Sequence, residues 1–280
     1  MSAHPSAPVP LVRIRSASGP AALDLTELWR FRDLLFVLAG RDIRVRYKQT
    51  LLGSTWVVLQ PLLTAGIFSF VFGTVANLPS DGIPYFIFAY SGLLAWNAFN
   101  GTASKASGAL VGNAHLVGKV YFPRLILPLS TMGSTLVDFA VSAALLAVLL
   151  PVYGIAFHAG LLLLPLWLAL MLVLALGIGL MAGSLAVRYR DVGRVLGVFL
   201  GLLLFVSPVS YAASAVPERF RAVYSLNPLV GYIDTFRWSL LGTGSLDWRA
   251  LAYSVLVSVV VLAAGLALFK RLERGFADVI

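Results

Sequence analysis

Six apolar stretches, each near the length a helix needs to cross a bilayer, constrain this chain more than any other feature. They run over residues 51–76, 85–103, 125–150, 161–187, 195–211 and 251–269. Spanning the hydrocarbon layer takes about 20 such residues in a helix. An open strand cannot satisfy its backbone in lipid, and the stretches lack the period-two alternation of a barrel, so six transmembrane helices are expected. Composition agrees. Apolar residues make up 59% of the 280, charged residues only 12%, about half the usual share, and the mean hydropathy is +0.90. So few polar groups cannot clothe a soluble domain, which excludes soluble, disordered and fibrous classes and leaves an all-α integral membrane protein.

An even number of spans puts both chain ends on one side. Of the 21 lysines and arginines, seventeen fall on the side that carries the ends, and four (Arg219, Arg221, Arg237, Arg249) on the other. The positive-inside bias therefore places both termini in the cytoplasm. It also accounts for the net charge of +9 as topogenic anchoring, without a nucleic-acid partner. Residues 1–24, rich in Pro, Ser and Ala, have no long apolar run and read as a mobile tail with no secretory signal. Over 25–38, Leu28, Phe31, Leu35 and Leu38 share one helical face while Glu27, Arg30 and Asp33 lie on another. Such a helix is too short to span. It either lies along the inner membrane surface with Trp29 at headgroup level or packs on another protein. The segment 212–249 mixes apolar and polar residues. Within it, 217–224 and 228–241 each start with Pro, as first helical turns often do. Two short re-entrant helices dipping into the outer leaflet fit it, and an ordinary outer loop is the alternative.

Chemistry is sparse. The one Gly-Lys pair, Gly118-Lys119, is followed by Val120 and lacks the rest of a phosphate-cradling loop, so no ATP site of that kind is expected here. The three histidines (His4, His115, His158) are scattered and there is no cysteine, so neither a metal site nor a thiol centre is expected. Gly183-Ser184 lacks the setting of a nucleophile elbow. Asp138, inside the third span, is a functional candidate by its position in lipid, or a structural group bonded to a neighbouring hydroxyl or a buried arginine. Gln60, beside the helix-kinking Pro61, faces a pore or packs. Phe68, Phe72, Tyr85 and Tyr90 belong to an aromatic cluster near the outer ends of spans one and two. An interfacial belt explains such a cluster, and a pore lined with rings that stack on sugar faces is the sharper alternative. Glycines four apart (Gly179 and Gly183, Gly197 and Gly201, Gly108 and Gly112) let helices approach closely.

Three blocks carry a resemblance. The first is Arg41-Asp42-Ile43-Arg44-Val45-Arg46-Tyr47-Lys48-Gln49-Thr50-Leu51-Leu52-Gly53, followed by Trp56 and Pro61. The second is Lys119-Val120-Tyr121-Phe122-Pro123-Arg124, leading to Pro128 and Asp138. The third is Arg188-Tyr189-Arg190-Asp191-Val192, then Ser207-Pro208, Tyr211, Pro217 and Asn227-Pro228, with Gly275-Phe276-Ala277-Asp278 near the end. In order and spacing the chain resembles the ABC-2 type permeases that export polysaccharides such as O-antigen, capsule and teichoic acid, from about residue 25 onward.

The resemblance implies one transmembrane domain over 25–280, with an amphipathic interface helix at its start and re-entrant helices between spans five and six. It implies a homodimer enclosing a channel for a lipid-linked polysaccharide in the bacterial inner membrane. Two copies of a separate ATPase subunit, which would bind the ATP and Mg, would drive it. The permease itself would be no enzyme and hold no cofactor. By position, Arg41, Asp42, Arg44, Tyr47, Lys48, Lys119, Tyr121 and Arg124 would touch that ATPase, with 188–194 a third contact. All of these also fit anchors bound to lipid phosphates. Phe68, Phe72, Tyr85 and Tyr90 would meet substrate at the outer mouth. The alternatives are an ABC-2 permease for drugs or lipids, and a membrane-embedded glycosyl- or acyltransferase, for which no catalytic group is convincingly placed.

Overall fold

The computed structural model describes residues 25–48, 55–242 and 246–276, and leaves aside the side chains of Leu25, Tyr47 and Lys48. The expected tail 1–24, residues 49–53 of the first block and Ala277-Asp278 lie outside the described residues. So do the coupling roles expected of the Tyr47 and Lys48 side chains.

Among the described residues all regular structure is helical: α1 (Leu25–Arg30), α2 (Arg32–Lys48), α3 (Thr55–Phe68), α4 (Tyr85–Gly112), α5 (Ala114–Lys119), α6 (Ile126–Val152), α7 (Leu164–Ala186), α8 (Val192–Val206), α9 (Glu218–Tyr224), α10 (Pro228–Leu241) and α11 (Trp248–Glu273). Helix α3 runs on as a π-helical stretch, Ser69–Val75, and a 3-10 turn, Ala159–Leu163, leads into α7. Four helical runs are long and apolar enough to cross a membrane: Thr55–Val75, Ile126–Val152, Ala159–Ala186 and Trp248–Glu273.

The two remaining expected spans differ from the apolar runs that signal them. The second was expected to end at Ala103, yet α4 continues to Gly112 over 28 residues, about 42 Å. Lys105 is therefore a helical, partly buried residue and not part of a cytoplasmic connection. The apolar run stops early because α4 is enclosed by α6 and α7, and a helix shielded by its neighbours can carry Ser, Thr, Asn and Lys where a lipid-facing one cannot. The fifth expected span reaches Tyr211, but α8 stops at Val206 after 15 residues. Ser207 takes an extended backbone (φ −94°, ψ 154°), as the residue before a proline does.

Helix α4 forms the centre of the bundle, against α7 on one side and α6 on the other, and α11 packs along α7. Gly179 and Gly183 make the α4–α7 contact close. A Cβ on Gly179 would stand 2.6 Å from Ala106 Cβ, and one on Gly183 would stand 3.1 Å from the Ala106 carbonyl. The other two glycine pairs do not act this way inside the chain, since a Cβ at Gly108, Gly112, Gly197 or Gly201 meets nothing within 4 Å. The apolar face of α1 and α2 packs as its spacing anticipates. Leu38 is buried, and Leu28, Phe31 and Leu35 lie against a cluster that holds Phe122, Leu125, Ile126 and Phe269. Trp29 stays exposed under the Arg32 guanidinium.

Within segment 212–249 the described residues include the two helices α9 and α10. Pro217 precedes α9 as its cap, and Pro228 opens α10, where the Asn227 side chain accepts the Leu229 N–H at 3.0 Å. Gly242, with φ at 66°, ends α10 in the left-handed conformation that glycine favours. Along its length α10 buries Leu229, Tyr232, Ile233, Phe236 and Leu240 against α4, α7 and α11.

Candidate functional site

A cleft of about 180 Å³ opens between α2, α3, α4 and α6. Arg46 (α2), Gln60 (α3), Asn97 and Lys105 (α4) and Asp138 (α6) all line this one space. One carboxylate oxygen organises it. Asp138 Oδ2 lies 3.0 Å from Arg46 Nη2 and 3.3 Å from Lys105 Nζ. Lys105 also donates to Ser134 Oγ at 2.8 Å and Thr135 Oγ1 at 3.1 Å. The side chains of Lys105 and Asp138 are 25% and 21% exposed, so this pair is less screened by salt than a surface pair, whereas Arg46, 42% exposed, reaches Asp138 from the solvent side. Sequence reasoning singled out Asp138 and Gln60, took Arg46 as one of the charges of the ATPase-facing segment 41–48, and took Lys105 only as flanking charge. The signal for Lys105 is a polar stripe on α4: Asn97, Ser104 and Gly108 are exposed, with Asn100, Gly101 and Lys105 half-buried beside them. Their spacing marks one helical face.

The residues expected to meet an ATPase gather at one end of the bundle, but several are spent on internal contacts. Arg41 donates from Nη2 to Asn113 Oδ1 at 2.8 Å and from Nε to Asp42 Oδ1 at 3.0 Å, which ties α2 to the end of α4. Arg124 donates to the Glu273 carbonyl and lies 6.0 Å from the centre of the Phe276 ring, so it holds the end of α11. Tyr121 donates to Glu27 Oε1 at 3.2 Å. Desolvation and then the Glu27 carboxylate push its hydroxyl above the usual range, so it stays a donor at neutral pH. Arg44 and Lys119 are exposed, as are Arg188, Tyr189, Arg190 and Arg194.

The aromatic set divides. Phe68 and Phe72 meet edge-to-face with ring centres 5.3 Å apart. Tyr85 is half-buried, with its hydroxyl donating to the Ser210 carbonyl. Tyr90 is 1% exposed and donates to the Ser142 carbonyl at 3.1 Å. It belongs to the core and is withdrawn from the outer-mouth set, because a side chain enclosed on all sides cannot touch a passing substrate.

A second charged group was missed. Arg237, counted in the sequence as an outer-loop charge, is buried in α10. Its Nη2 donates to the Val209 carbonyl at 2.7 Å, and its guanidinium sits 3.7 Å over the Phe88 ring. Gly92 gives it room, since a Cβ there would stand 2.7 Å from both Nη2 and the Val209 oxygen.

A family model described as ABC-2 type transporter matches residues 33–241. The chain is 29% identical over 252 residues to the O-antigen export system permease protein RfbA of Klebsiella pneumoniae, covering 89% of this chain and 95% of that one. It is 28% identical over 254 residues to RfbA of Myxococcus xanthus, covering 90% and 97%. To the polysialic acid transport protein KpsM of Escherichia coli it is 25% identical over 240 residues, covering 84% and 92%.

Proposed function

Given that the chain belongs to the ABC-2 type transporter family, matched over residues 33–241, we propose that it is the permease subunit of an exporter that moves a lipid-linked polysaccharide such as O-antigen across the bacterial inner membrane. The observation that carries this reading is the near end-to-end similarity to export proteins named for O-antigen and polysialic acid. In this reading residues 25–280 form one transmembrane domain and 1–24 a mobile tail. Six crossings are made by α3 with its π-helical continuation, α4, α6, α7, α8 and α11. Both ends lie in the cytoplasm, α1 and α2 lie along the inner surface, and α9 and α10 dip into the outer leaflet. A separate ATPase subunit, two copies per exporter, binds ATP and Mg and docks where Arg44, Lys119 and Tyr121 are exposed. Phe68, Phe72 and Tyr85 border the outer mouth.

Two copies of the chain enclose the path. Support for pairing comes from α8. Val195, Val198, Leu202 and Phe205 are more than half exposed, and Gly193, Gly197 and Gly201 stand open at four-residue spacing. Small residues at that spacing let two helices meet at short range in lipid. Gly197→Leu combined with Gly201→Leu is expected to leave the single chain folded, since a Cβ at either position meets nothing within 4 Å among the described residues, and to abolish the dimer seen by native mass spectrometry. A dimer that survives both changes overturns this placement of the interface.

The function is tested by reconstituting the chain with its ATPase in vesicles and supplying lipid-linked glycans. A matching glycan is expected to raise ATP turnover and to cross the bilayer. Nucleotide hydrolysis by the purified chain alone would overturn the reading, as would indifference of the complex to every lipid-linked glycan.

A further inference from the structure

We propose that the Arg46–Asp138 ion pair is the joint that makes α2 and α6 move as one body, so that motion imposed on α2 by the ATPase reaches the membrane helices. The proposal rests on the reading of the chain as an ATPase-driven permease. Arg46 and Asp138 are positioning residues in it.

The argument is one of attachment points. Helix α2 crosses α6 where Ala39 meets Gly133, and a Cβ on Gly133 would stand 2.9 Å from Ala39 Cβ. Apolar packing around this crossing, with Leu34, Leu35 and Leu38 against the cluster of Leu125, Ile126 and Leu127, holds α2 on α6 but is non-directional and lets the far end of α2 shift. Arg41, bonded to Asn113, is only two residues beyond the crossing and gives little leverage against rocking. Arg46 is seven residues beyond, about 10.5 Å along the helix, and it grips Asp138, five residues along α6 from Gly133. Two separated points on the same pair of helices fix their angle.

The roles of the two cations differ. Lys105 holds α6 through Ser134 and Thr135 as well as Asp138, so α4 stays tied to α6 without the carboxylate. Asp138 is the salt-bridge partner of Arg46, so losing either group removes this ion pair from the far end of the described part of α2. Replacing Asp138 also leaves Arg46 and Lys105 facing each other as like charges, which pushes α2 outward.

The chain has no cysteine, so Val45→Cys on α2 and Leu136→Cys on α6, both exposed, allow the purified chain to be spin-labelled at two sites before it is assembled with the ATPase. With the doubly labelled chain diluted in an excess of unlabelled chain, so that each complex of two copies carries one labelled copy, the expected result is one narrow intra-chain distance that does not change between nucleotide-free and ATP-bound forms. Arg46→Met or Asp138→Asn added to this background broadens it, while Lys105→Met and Asp138→Glu keep it narrow. In transport, Arg46→Met lowers glycan exported per ATP hydrolysed while ATP turnover persists. A narrow distance in Arg46→Met, equal broadening in Lys105→Met, or unchanged export per ATP overturns the joint. The distance measurement needs no glycan, so it judges the joint separately. Failure of the unsubstituted complex to move any glycan would count against the cargo reading instead.

Discussion

Replacing Gly265 with valine is expected to leave no detergent-stable folded chain, whereas Gly118→Val is expected to be well tolerated. The two glycines differ in what surrounds them. A Cβ on Gly265 would stand 2.5 Å from the Gly177 carbonyl oxygen and 3.2 Å from Gly177 Cα. A Cβ on Gly177 would stand 2.7 Å from the Leu262 nitrogen and 2.8 Å from its Cα. These obstacles are backbone, so no rotamer change relieves them, and α7 and α11 must part. Parting by about 1 Å already forfeits a quarter to a half of each dispersion contact, along one of the two most extensive helix pairings in the chain. Between helices in lipid that packing is a main source of attraction. Overpacking commonly costs about 1–3 kcal/mol, and an obstruction by backbone belongs at or above the top of that range. A Cβ at Gly118 meets nothing within 4 Å. Size-exclusion of the fluorescently tagged chain and thermal unfolding in detergent read both variants. A Gly265→Val protein that elutes and melts like the original would refute the close-crossing account.

The glycines also show what a linear pattern can and cannot report. Spacing of four picks out Gly179 and Gly183, which do sit against α4, but it picks out Gly197 and Gly201 equally, and these face open space. It misses Gly177 and Gly265 because each half of that contact lies on a different helix, and only the folded crossing brings them together. The helices themselves were legible for a simpler reason. Lipid demands long apolar runs, and Ile126–Val152, Ala159–Ala186 and Trp248–Glu273 answer that demand closely. Helix α4 shows the limit of this rule. It is screened by α6 and α7, so its sequence is released from the apolar requirement and its last nine residues read as a loop. The same release hid the candidate site. Asp138 was conspicuous because α6 is otherwise apolar, but Lys105 and Arg46 stood among other flanking charges. Nothing in their own neighbourhoods points to a shared carboxylate on a third helix.

Arg237→Ala is expected to destabilise the chain by about 3–5 kcal/mol, and Arg237→Met by much less. The arginine plugs the gap between α10 and α4, and truncation to alanine removes that packing along with two polar contacts. The bond from Nη2 to the Val209 carbonyl involves a charged donor, a type worth about 1.5–3 kcal/mol. The guanidinium over Phe88 adds about 2 kcal/mol where water is excluded. Opposing these, the buried charge is costly to desolvate. Among the described residues its Nε and Nη1 find no hydrogen-bond partner, and Asp234 stands 3.8 Å from Nη1 with its own side chain 41% exposed. Removing the charge therefore returns part of what the polar contacts contribute, and water can still reach the Asp234 carboxylate left behind. What alanine cannot replace is volume, which methionine largely supplies with a flexible apolar chain. The two variants thus separate packing from charge. Chemical denaturation of the purified chain, with hydrogen exchange followed on α9 and α10, is expected to show faster exchange there for Arg237→Ala and little change for Arg237→Met. Equal losses for both would mean that the charge, and not the space it fills, holds α10 in place.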